Sequence, residues 1–85
     1  MKNKQADAKK WLQSVGANFH ALRIAQKKEI KTVAKAVKIS AALLEQIEKG
    51  QYDMELDLYV RLCSYYGAAP ADVATENKFT KAPRT

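Results

Sequence analysis

The stretch from Thr32 to Gly50, TVAKAVKISAALLEQIEKG, restricts the fold more than any other part of the chain. It reads as two short helices with a tight connection. With Lys31 at zero and an advance of about 100° per residue, Ile30, Val33, Ala34 and Val37 fall at about 260°, 200°, 300° and 240°. Lys31, Lys35 and Lys38 gather on another side, near 0°, 40° and 340°. Ser40 is a good N-cap, so a second helix opens behind it. Its apolar arc is Leu43, Leu44 and Ile47, while Ala42, Glu45, Gln46 and Lys49 face the other way. Gly50 stops it, because glycine best tolerates the left-handed conformation that follows a helix. Helices this short are unstable alone, so the pair must pack on its neighbours.

The neighbours supply helices. From about Asp7 to Gln26 the apolar positions Leu12, Val15, Phe19 and Leu22 recur at spacings of three and four. Gly16 weakens this stripe and predicts a break between a leading turn and helix 1 proper. Helix 2 is expected over 30–37 and helix 3 over 41–49, followed by a loop at Gln51-Tyr52-Asp53. Helix 4 is expected over 55–66, with Leu56, Tyr59, Val60, Leu62, Cys63 and Tyr66 forming a broad apolar face. Gly67 ends it, and Pro70 opens a short helix 5 reaching Thr75, with Val73 docking back. No segment reads as a strand. The organisation is a basic, partly helical extension over 1–15, a folded unit over 16–75, and a flexible basic tail over 76–85.

Charge is spread unevenly along the 85 residues. Residues 1–16 sum to +3, residues 17–50 to +4, residues 51–75 to −3 and the remainder to +2, which makes the net +6. The half with the two-helix unit is basic and the next segment acidic. Such a one-sided field favours an anionic partner such as nucleic acid, although solubility alone accounts for it equally well. Cys63 is the single cysteine, so no internal disulfide framework exists and a reducing, cytoplasmic location is expected. No apolar run approaches the ~20 residues that span a bilayer, and no secretory signal opens the chain. His20 has no second His or Cys in register for a metal, and it reads as a surface or helix-edge histidine. Cys63, inside the helix 4 face, reads as a buried structural thiol. Trp11 reads as packing rather than as a base-stacking platform. There is no nucleophile–base set, so no enzyme, cofactor, metal, small-molecule ligand or membrane role is expected.

Several residues together carry a family resemblance. Arg23 after Leu22, Ala34 in helix 2, Ser40 before helix 3, Ile47-Glu48-Lys49-Gly50, and the Leu56…Leu62…Tyr66-Gly67 pattern resemble the Cro/repressor-type helix-turn-helix domains, the XRE family. The resemblance covers about residues 16–73. It implies a compact all-α, five-helix, lambda-repressor-like domain that binds double-stranded DNA and regulates transcription, commonly as a homodimer on two half-sites. It also implies an enclosed ion pair between Arg23 and Glu48. Ala34 is small because helices 2 and 3 cross at close range.

In this family helix 3 enters the major groove. By analogy the base-facing positions are Ala41, Ala42, Glu45 and Gln46. Gln46 is the best direct reader, since its amide matches adenine, and Glu45 can accept from a cytosine amino group. Phosphate contacts are expected from Ser40, Lys49, Gln51 and Tyr52, from Lys31 near a helix N-terminus, and from Lys27 and Lys28 at the helix 1–2 turn. Three positions depart from the pattern. Ile30 stands where relatives often carry a phosphate-binding glutamine. Lys38 replaces the usual turn glycine, at a cost of about 1 kcal/mol if the site needs positive φ. The two alanines leave the reading face bare, which points either to readout of DNA shape or to a protein partner on the same fold. Trp11, Leu12, Tyr65 and Val73 are the apolar residues available for a dimer interface.

Overall fold

The computed structural model describes residues 4–76 and 78–80, with side chains from Lys9 onward. Among the described residues five helices follow in order: α1 Lys4–Ala25, α2 Ile30–Ala36, α3 Ala41–Glu48, α4 Leu56–Tyr66 and α5 Pro70–Val73. No strand occurs among the described residues. The elements agree with the periodicity of the sequence, and the architecture is an all-α helix-turn-helix fold.

The core is built where the apolar arcs meet. Val15, Phe19 and Leu22 of α1 share the core with Val33 and Ala34 of α2, Val37 just after it, Leu44 and Ile47 of α3, and the inner row of α4. Phe19 is the hub, with its ring centroid 5.8 Å from that of Tyr59 and 6.1 Å from that of Tyr66. Such tilted and edge-on contacts suit aromatic quadrupoles. Cys63 is buried here as a free thiol, and burial pushes its pKa up.

Gly16 does not break α1, which runs unbroken through it. The glycine is there for a tertiary reason. A Cβ at Gly16 would collide with the carbonyl oxygen of Ile47 and lie 2.9 Å from that of Glu48. A Cβ at Gly50 would lie 2.6 Å from the Cα of Gln13. The two glycines let α1 and the end of α3 touch backbone to backbone, which fixes the axis of α3.

Four helix ends share one device. After α1, α2, α3 and α4 the chain turns through Lys27 (φ 56°), Lys38 (φ 65°), Gly50 (φ 72°) and Gly67 (φ 71°). Each turn closes two backbone bonds of the Schellman type, for example Lys38 N–H to Lys35 O at 3.2 Å and Ile39 N–H to Ala34 O at 2.9 Å. Two glycines occupy this left-handed site without strain and two lysines do not.

Part of the helix 4 face predicted from sequence turns outward. Leu58, Tyr59, Leu62, Cys63 and Tyr66 are buried, but Leu56 and Val60 are exposed. Val73 is fully buried, which removes it from any interface. At the C-terminal end the described part of the expected tail is folded back. Asn18, buried in α1, donates through Nδ2 to Val73 O (2.7 Å) and Thr75 O (2.9 Å) and accepts at Oδ1 from Phe79 N–H (3.1 Å). Phe79 packs against the core in consequence. Residues 77 and 81–85, and the first three of the basic extension, lie outside the described residues.

Candidate nucleic-acid interface

The connection from α2 to α3 is four residues, Val37 to Ser40. Ser40 has extended φ/ψ (−77°, 154°), and its Oγ accepts the Leu43 N–H at 3.0 Å, so the predicted cap starts α3. Arg61 of α4 ties the turn from behind by donating from Nη1 to Val37 O at 2.7 Å. At the far end of α3, Gly50 N–H bonds Ile47 O and Gln51 N–H bonds Gln46 O at 2.8 Å. Both ends of α3 are therefore fixed by named bonds, and Leu44 and Ile47 anchor its inner face.

What α3 leaves outside is a single row. Ala42, Glu45, Gln46 and Lys49 are exposed at the i, i+3, i+4, i+7 spacing of one helical face, a strip about 10 Å long. Ala41, read from sequence as base-facing, is half-buried against the core and stands at the edge of this row. Lys27, Lys31, Lys35 and Lys38 are exposed along the α1–α2 turn and the outer side of α2. Lys28 is also exposed, with its ammonium 5.8 Å from the Tyr65 ring centroid, at the end of α4. Gln51 is exposed and Tyr52 half-buried in the loop after α3. The carboxylates Asp53, Glu55, Asp57 and Asp72 belong to the α3–α4 loop, α4 and α5, so among the described residues Glu45, and Glu29 at the start of α2, are the exposed carboxylates that interrupt these lysines.

Beneath the row lies the Arg23–Glu48 pair. Arg23 Nε donates to Glu48 Oε2 at 2.7 Å and Nη2 to Oε1 at 3.0 Å, a two-point contact. The Glu48 side chain is 6% exposed and that of Arg23 13%. Hydrogen bonding to Glu48 is the largest cause that raises the Arg23 pKa above its usual value, and desolvation opposes it. Arg23 Nη1 also donates to Lys28 O at 3.1 Å, so the pair locks α1, the α1–α2 turn and α3 together. Two members of this cluster were not legible as such. His20, solitary in sequence, has Nδ1 2.8 Å from Glu48 Oε1, because it lies one turn before Arg23 on α1. The Tyr66 hydroxyl is buried without a hydrogen-bond partner among the described residues, and burial first, then the Glu48 charge, raises its pKa. Ile30 lines the hollow beside this cluster with His20, Arg23, Glu45, Glu48 and Lys49.

No group of three or more His, Cys, Asp or Glu side chains able to hold a metal occurs among the described residues. Among them, too, no helix is long and apolar enough to cross a membrane.

Comparison with known proteins agrees with this geometry. The family model for a helix-turn-helix domain matches residues 14–75. The crystal structure of the clp gene regulator ClgR from C. glutamicum superposes with a TM-score of 0.70 at 25% sequence identity, covering 74% of this chain and 82% of that one. No curated protein sequence matches the chain.

Proposed function

The chain belongs to the helix-turn-helix domain family, and on that premise we propose that it is a sequence-specific, double-stranded-DNA-binding transcription regulator of the Cro/repressor type. The observation that carries this reading is the row Ala42, Glu45, Gln46 and Lys49, held outward on a helix fixed at both ends and bordered by the lysines of α2. Likeness to a gene regulator of the same fold supports it. α3 lies in the major groove. Gln46 bonds adenine through its amide, Glu45 accepts from a cytosine amino group, and Ala42, with Ala41 at the margin, touches thymine methyls. Lys31 leads the phosphate contacts, with Lys27, Lys28, Ser40, Lys49, Gln51 and Tyr52. Ser40 can serve as both cap and contact, because its oxygen holds Leu43 N–H while its own O–H stays free to donate. Two copies occupy two half-sites as a homodimer, in the cytoplasm and without catalysis.

Selection of bound sites from a random duplex library, followed by affinity measurements across salt concentration, tests this reading. It predicts an enriched two-fold motif and an affinity that falls steeply as salt rises. The bare Ala42 and the acidic Glu45 favour a second reading, a protein-interaction module on the same fold. Absence of any duplex binding at about 50 mM salt, where phosphate-driven affinity is strong, selects that second reading.

A further inference from the structure

His20 is the single histidine of the chain, and histidine is the side chain that ordinarily changes charge between about pH 5 and pH 8. Its side chain is 54% exposed, yet Nδ1 lies 2.8 Å from Oε1 of Glu48, a side chain only 6% exposed. Glu48 already accepts from Nε and Nη2 of Arg23, which are obligate donors, so it is held as a carboxylate that can only accept. The proton of the neutral His20 ring therefore sits on Nδ1. The longer contact, Arg23 Nη2 at 3.4 Å, would need a bare Nδ1 and loses to the shorter one. Nε2 bonds no described residue. It is an acceptor while the ring is neutral and a charged donor once the ring is protonated.

The ring lines the hollow beside α3 with Arg23, Ile30, Glu45, Glu48 and Lys49. Glu45 and Lys49 belong to the outward row, so this hollow of about 520 Å³ opens at the face assigned to DNA. Its other formal charges cancel, Arg23 and Lys49 against Glu45 and Glu48. His20 therefore sets the sign, since the hollow is neutral with a neutral ring and carries one positive charge with a protonated one. Among the described residues no further titratable group lines the space around the ring. Beside it α1 presents Ala17, Ala21 and Ile24, α2 presents Ile30, and the segment after α5 presents Phe79 and Thr80.

We propose that His20 is a pH-gated contact to a backbone phosphate of bound DNA, made through Nε2 when the ring is protonated and lost when it is neutral. A neutral Nε2 turns a lone pair toward a phosphate oxygen, and two acceptors do not bond. Protonation supplies both a donor and a charge, on a ring that Glu48 already orients, so little rotamer freedom is left to lose on binding. Binding takes up a proton, and affinity rises as pH falls through the histidine range. This inference rests on the DNA reading above and adds to it a residue of α1 outside the α3 row.

The test is fluorescence anisotropy of a labelled duplex of mixed sequence, titrated with the full chain at about pH 8 and about pH 5.5, at salt concentrations from about 50 mM upward. The wild type is expected to bind about 10-fold tighter at the lower pH, with a salt slope steeper by about 0.9, which is one further phosphate neutralised. His20→Gln cannot take up the proton and is expected to bind alike at both pH values, at the weaker level. His20→Lys is charged at both and is expected to bind alike at the tighter level. Both variants are compared at equal helical circular dichroism, which the exposed site allows. A pH dependence that persists in His20→Gln, or that is absent from the wild type, overturns the contact and leaves the DNA reading standing. A wild type that binds no duplex at about 50 mM salt at either pH overturns both.

Discussion

Replacement of Glu48 by glutamine tests how much of the scaffold under α3 depends on one buried charge. The carboxylate is 6% exposed and accepts from Arg23 Nε at 2.7 Å, Arg23 Nη2 at 3.0 Å and His20 Nδ1 at 2.8 Å. Glutamine keeps the volume, removes the charge, and turns an amide N–H2 toward groups that are themselves donors. Breaking a buried pair from one side costs roughly 3–5 kcal/mol, because the other charge is left enclosed. Arg23 keeps the Lys28 carbonyl at 3.1 Å and a little solvent contact, which places the loss near ~3 kcal/mol. For a domain of this size ~3 kcal/mol lowers the melting temperature by roughly 12–24 °C. Thermal unfolding followed by far-ultraviolet circular dichroism reads this directly. Arg23→Met is expected to cost a similar amount, and the double variant is expected to be no worse than either single, since no charge is then left alone. A drop below about 4 °C for Glu48→Gln, or strict additivity in the double variant, refutes the enclosed pair.

Three further outcomes follow from the same structure. Lys38→Gly is expected to raise stability by about 1 kcal/mol in urea unfolding, because φ is 65° there, and Lys27→Gly, at φ 56°, to do so by a similar amount. Burial raises the Tyr59 pKa from 10.0 to about 12, so unfolding releases a proton between these values. Stability is therefore unaffected by this group below pH 10 and falls by about 1.4 kcal/mol per pH unit above it, until the folded state also titrates, as an alkaline urea series measures. In competition binding, Gln46→Ala is expected to relax preference at one base pair per half-site by about 1–3 kcal/mol. Lys31→Ala is expected instead to weaken all duplexes alike and reduce the salt slope by about 1.

The readable parts of this chain were those governed by local rules. Helical period located α2 and α3, the hydroxyl of Ser40 marked the start of α3, and Gly50 marked its end. Lys38 in a glycine site was legible through the family resemblance, whose pattern has a glycine at that turn, and its φ of 65° fits that site. The unread parts depend on what lies across the fold. Gly16 looks like a helix breaker to propensity, yet it is selected by the carbonyls of Ile47 and Glu48 on another helix. Apolar spacing placed Leu56 and Val60 with Tyr59 and Cys63, because periodicity defines an arc and not the width of the core that covers it. Asn18 sits in an apolar stripe, and only the approach of Val73, Thr75 and Phe79 from far along the chain gives its amide three partners. Lys27 carried no signal, since nothing local distinguishes it from Lys28. At the site, the exposed row of α3 was legible except at Ala41, whose methyl turns toward the core.

The central claim is that the outward row of α3 is the surface that meets DNA. Titration of the isotopically labelled chain with a selected duplex, with every backbone amide followed by nuclear magnetic resonance, tests it most directly. The predicted result is a contiguous set of shifted amides over Ala42 to Lys49 and along Lys31 to Lys38. Shifts confined to α4 and α5, with the α3 amides unmoved at saturation, would contradict it.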